Sequence, residues 1–195
     1  MTASSATSHF LRYLQDNTRC VSLGDNFKEA DISKIVGELV KLDVEKVEPI
    51  VLHINSNGGK YQSAKELVLC IRDLIHSPVY GLVEGNCFSS AFYVLQFCHR
   101  RFALSTARLL LHGNFEIVRV KIDGDNEPAL MSMIQQQSAE RRRVRGEIIQ
   151  ELVPRLKRYS EEGVLSLMRE EKIMSAELAL SRSMIDEVIE PGPAE

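Results

Sequence analysis

The 195-residue chain has no long hydrophobic run; its apolar stretches are too short and too often broken by charge to provide the roughly 20 apolar residues a membrane helix needs. The opening MTASSATSHF has neither the basic start nor the apolar stretch of a secretory signal, so a cytoplasmic protein with no membrane contact is expected. Its four cysteines, Cys20, Cys70, Cys87 and Cys98, form no CxxC pair and no Cys/His metal spacing. Most fall in apolar segments, as reduced and packed side chains do, and neither a metal nor another cofactor is expected. Charge of one sign is not in excess: the net charge of −3 argues against nucleic acid as a partner. Internal repeats and low-complexity segments are absent too. GGKYQ at 58–62 looks like the end of a phosphate-binding loop, but it lacks the earlier glycine and the Ser/Thr after the lysine, which excludes an ATP site of that kind.

What is there is enough for one core: 44% apolar residues in a chain of this length. CVSLG (20–24) reads as a strand, and residues 27–42 carry apolar side chains at helical spacing. PIVLHIN (49–55) is a nearly continuous apolar run ending in SNGG, a buried strand leading to a tight turn. Helical spacing returns over 60–77 and stops before Pro78. A strand over 79–85, a helix over 89–99 and strands near RFAL and RLLLHG follow. Strands alternating with helices predict an α/β fold with a parallel sheet covered on both faces.

After His112 the pattern changes. FEIVRVKI (115–122) partly alternates apolar and charged residues, and DGDNEP supplies a turn and a proline suited to a first helical turn. A long helix is predicted from about 129 to 159, bent at Pro154, where a backbone donor is missing. A strand and helix projecting from a core need something to pack against, so an oligomer is expected. ERRRVRGE (140–147) spreads its arginines around that helix between acidic residues, as an ion-pairing face does, rather than in one basic stripe.

The chemistry concentrates at strand ends. A serine hydroxyl needs a base within reach and donors for the oxyanion that forms on the attacked carbonyl. In GNCFSSAF (85–92), Ser89 leaves a strand and opens a helix, whose first amides lack intrahelical partners. The Ser90 amide is one candidate oxyanion donor, and Gly59, the second glycine of NSNGG, is the other. His112 ends RLLLH and is the candidate base, with Gly113 leaving room beside it. Taken singly, each residue also fits a plainer role: Ser89 or Ser90 as a helix cap, His112 as a structural polar group, Gly58 and Gly59 as a turn.

Taken in order, INSNGG, EGNCFSSA, TARLLLHG and REEKIMSAELALSRSMIDEVI resemble the ClpP family of caseinolytic serine peptidases, whose usual motifs are INSPGG, GxAASM, a strand ending in the catalytic histidine, and DRxxSAxEAxxxGLVDxI. The resemblance runs from about Arg19 to Ile189. It implies a ClpP/crotonase-like ββα superhelix with a projecting strand-plus-long-helix handle at about 114–159, in a single domain over 19–195 preceded by an N-terminal segment, 1–18. It implies Ser89 as nucleophile, His112 as base, and the amides of Gly59 and Ser90 as the oxyanion hole. Counting back from MSA, the family's aspartate falls on Glu171, one methylene longer, while Asp186 matches a structural aspartate. Gly58, Phe88, Phe115 and Ile117 would contact substrate. Asn57 stands where the family has proline, Phe88 where it has a small residue, and Ser90 where it has methionine. Implied partners are unfolded polypeptide or peptide, further copies of the chain in stacked heptameric rings, and an AAA+ unfoldase of ClpX/ClpA type that would spend any ATP. Two other readings stand beside the peptidase: a catalytically silent subunit of such a ring, which the retained serine and histidine disfavour, and a crotonase-like acyl-CoA enzyme, which needs no serine–histidine pair.

Overall fold

A computed structural model describes residues 18–113 and 127–190. The N-terminal segment, FEIVRVKI with Phe115 and Ile117, and the last five residues lie outside the described residues. The centre is a sheet with strand order β1 (Cys20–Phe27), β2 (Ile50–Gly59), β3 (Val79–Phe88), β4 (Arg100–Leu104) and β7 (Glu187–Ile189), each neighbouring pair parallel. Two short strands lie off this path: β5 (Arg108–Leu110), parallel to β3, and β6 (Met174–Ser175), antiparallel to β5. The expected α/β fold with a mostly parallel sheet is what the chain adopts. Leu52, Ile54, Val79 and Val83 are buried within the sheet, as continuous apolar strands require.

Helices α1 (Glu29–Glu45) and α2 (Tyr61–Leu69) make the β1–β2 and β2–β3 crossovers, and α3 (Ser90–Leu95) follows β3. The helix expected to reach residue 77 ends sooner, with α2 passing into one π-helical turn, Cys70–Leu74. The cause lies in α1, where the buried Asp43 carboxylate accepts the backbone amides of His76 at 3.2 Å and Ser77 at 2.7 Å and so draws both residues out of the helix. Pro78 also disfavours helical geometry at the residue before it.

The long helix α4 (Glu127–Leu152) stops two residues short of Pro154 rather than bending there and running on to Tyr159. Val153 still donates to the Ile149 carbonyl, but Pro154 has no N–H with which to continue, and the chain turns. A further helix, α5 (Glu161–Glu170), went unread in the sequence, although Ser160 is a typical cap: its hydroxyl accepts from the Gly163 amide, and two glutamates occupy the first turn. The last helix is α6 (Ala176–Ser181). Three of the cysteines are buried and Cys20 is exposed, all with free thiols; burial pushes the Cys70 thiol up to about 11 and that of Cys98 to about 12. Among the described residues no helix is long and apolar enough to cross a membrane.

Candidate active site

The carboxyl end of β3 positions the site. Along its length β3 pairs first with β4, through Tyr80 to Val83, and then with β5, through Asn86 to Phe88. That second ladder aligns Phe88 with Leu110, and the Ser89 amide extends it by donating to the Leu110 carbonyl at 2.8 Å. Ser89, one residue past the strand, is thereby held beside Leu111 and His112. The β5–β6 register, Arg108 with Ser175 and Leu109 with Met174, places Glu171 opposite His112 when continued to the end of the strand. The Gly113 amide donates to the Met168 carbonyl at 3.1 Å and closes the same edge. Glu171 Oε1 lies 4.0 Å from His112 Nδ1, with side-chain exposures of 49% for the glutamate and 26% for the histidine. Two ladders thus gather residues that stand 23 and 59 positions apart in the chain.

Ser89 joins β3 to α3 at φ 56° and ψ −124°, a conformation that side chains other than glycine rarely adopt. Strain of this kind, about 1–3 kcal/mol, persists only where the surroundings enforce it. A sharp strand-to-helix turn carrying a serine is also the geometry that lifts a nucleophilic hydroxyl clear of its own backbone. The surroundings are visible at Gly58, φ 99°, where a Cβ would come within 2.8 Å of the Phe88 carbonyl oxygen and 2.9 Å of Ser89 Cβ. Only glycine lets the NSNGG turn press this closely against the elbow.

Ser89, His112, Gly59 and Ser90 line one cavity of about 150 Å³, together with Tyr61, Tyr93, Leu111 and Met168. Gly58 and Phe88 do not reach its wall: the first supports the elbow from behind, and the second is half-buried at the end of β3. Of the two amides read as oxyanion donors, that of Gly59 is engaged, donating to Ser90 Oγ at 2.7 Å. Ser90 is the first residue of α3, where an amide has no intrahelical acceptor.

The opposite wall comes from α4, through Glu140, Arg141, Val144, Arg145 and Ile148. Within ERRRVRGE, expected as an ion-pairing face, Arg143 pairs with Glu140 and Glu147 along the helix. The spacing of 141, 144, 145 and 148 was the available signal that one face turns inward. Helix α4 is tied down beside α3 by Glu151, whose carboxylate accepts from the hydroxyls of Tyr61, at 3.2 Å, and Tyr93. Lys65 pairs with Glu147 at 3.0 Å and with Glu151 at 3.8 Å. Burial, reinforced by the Glu151 carboxylate, pushes both phenols above their ordinary range, and the hydrogen bond to Glu147 raises the lysine. Asp186 lies elsewhere, bonded to the Arg101 amide at 2.8 Å and its guanidinium at 2.7 Å. Burial works against its charge, but Arg101 prevails and holds the carboxyl below its usual range.

Among the described residues no three His, Cys, Asp or Glu side chains converge as metal ligands would. A family model described as Clp protease matches residues 4–192.

Proposed function

The chain belongs to the Clp protease family, and on that premise we propose that it is a cytoplasmic serine endopeptidase cutting unfolded proteins or peptides through an acyl-enzyme. The observation that carries the reading is Ser89, held at positive φ on a strand-to-helix elbow and facing the same cavity as His112. Ser89 Oγ attacks the peptide carbonyl as His112 takes its proton; His112 then protonates the leaving amine, and water entering by the same route releases the acyl group. Glu171 orients the imidazole and offsets its charge. The Ser90 and Gly59 amides receive the oxyanion, each worth about 3 kcal/mol in the barrier. A cavity of about 150 Å³ admits a side chain of an extended peptide, not a folded surface. Helix α4 with the segment before it serves as the handle through which heptameric rings stack, enclosing the sites in a chamber that an AAA+ unfoldase of ClpX/ClpA type feeds.

The test is a fluorophosphonate probe, with any adduct located by intact mass and peptide mapping. Labelling is expected at Ser89 and is lost in Ser89→Ala. A folded, assembled sample that takes up no probe would move the assignment to a silent ring subunit. Because the Glu171 carboxylate is half-exposed and 4.0 Å from the ring, its contribution is screened. Glu171→Ala is therefore expected to slow peptide turnover by only about tenfold; unchanged turnover would remove Glu171 from the triad and leave the peptidase reading in place.

A further inference from the structure

The Ser90 side chain is bonded twice to one residue. Its Oγ accepts the Gly59 amide at 2.7 Å and donates to the Gly59 carbonyl at 2.8 Å, closing a small ring between the end of β2 and the first turn of α3. Ser90 is 8% exposed, its hydroxyl set against the NSNGG turn, where a Cβ on Gly58 would lie 3.0 Å from it. An amide has a single proton to give. At 2.7 Å, Ser90 Oγ stands where an oxyanion received by the Gly59 amide would have to stand, since that range is the normal length of such a bond.

Resting on the peptidase reading above, we infer that the Ser90 hydroxyl is a positioning residue that closes half of the oxyanion hole until substrate arrives. Its backbone amide serves the hole while its side chain competes for the other donor. Opening requires the Ser90 side chain to rotate about its Cα–Cβ bond, breaking both bonds to Gly59 and leaving that N–H free for the oxyanion. Substrates that stay long enough in the cavity to displace the hydroxyl gain the second donor; weakly held ones meet a hole with one. The device favours well-anchored polypeptide over small esters and stray peptides. The hydroxyl oxygen also keeps the Gly59 amide satisfied while the site is empty, in a place largely closed to solvent.

The experiment compares wild type with Ser90→Ala, which removes the hydroxyl and keeps both amides. Two quantities are read on the assembled protein: the second-order rate constant for Ser89 labelling by a small fluorophosphonate, and deuterium uptake at the Gly59 amide by mass spectrometry. The variant is expected to label about thirtyfold faster, the factor of two neutral hydrogen bonds no longer to be broken, and to exchange the Gly59 amide faster. A merely structural hydroxyl predicts the opposite sign, slower labelling from a loosened elbow. Wild type labelling at Ser89 with the variant no faster would overturn the closure and spare the peptidase. Absence of Ser89 labelling in both proteins, each folded, would overturn the peptidase reading and the closure with it. Should Ser90→Ala not fold, Ser90→Cys, whose thiol fills the same space and is only a weak donor and acceptor, is read in the same way.

Discussion

Ser89→Gly is expected to lower peptide turnover by about 10⁴-fold or more while raising the unfolding free energy by about 1 kcal/mol. The two effects share one origin. At φ 56° and ψ −124° a Cβ is strained, and glycine is not; the gain is reduced by glycine's greater freedom in the unfolded chain. The fold therefore holds a serine where glycine would serve stability better, as expected if the hydroxyl is needed for chemistry. His112→Ala should match the loss of turnover, and the double variant should be no slower than the worse single one, because nucleophile and base act as a unit. Urea denaturation and peptide hydrolysis on the same samples check all three variants. Additive losses would separate Ser89 from His112, and a destabilised Ser89→Gly would show that the elbow depends on the serine side chain instead of bearing it.

The second large effect is far from the cavity. Asp43→Ala is expected to cost about 3 kcal/mol of stability at neutral pH, because three buried or partly buried donors lose their charged acceptor at once. The Ser77 bonds come first in holding the Asp43 carboxyl well below the usual carboxylate range, against burial and with help from His76. A carboxyl depressed by folding stabilises the fold above its unfolded pKa, about 4, and that share is lost as the pH falls toward the folded value. The gap between wild type and Asp43→Ala should thus be full at pH 7 and narrow steadily below about pH 4. Denaturation midpoints across that range would show it. A gap independent of pH would mean that the aspartate acts by packing and not by charge. Since Asp43 also holds His76 and Ser77, which lead from the π-helical turn after α2 into β3, its loss should loosen the entry to β3, the strand that carries Ser89.

The site was legible in unequal parts. The strand-to-helix position of Ser89 and the strand-end position of His112 could be read because hydrophobic period and breaker residues are local signals, carried within a few positions. Glu171 could be matched by counting, yet its usefulness depends on the β5–β6 register, which no local pattern specifies. The inward face of α4 was hidden behind its charge: arginines score as surface residues whether they meet solvent or a cavity.

By itself, then, the sequence determined the order of strands and helices as far as His112, the α/β class, and which serine and histidine stand at strand ends, since these follow from side-chain spacing along the chain. Tertiary structure alone decided the rest: that Pro154 ends the helix instead of bending it, that Asp43 draws His76 and Ser77 out of the helix from across the fold, and that the Gly59 amide is taken by Ser90. Each of these is a hydrogen bond made or lost, and those of Asp43 and Ser90 join residues more than thirty positions apart. Such bonds form only after packing has set the distance between elements, and a hydroxyl in a sequence carries no mark of which amide it will meet.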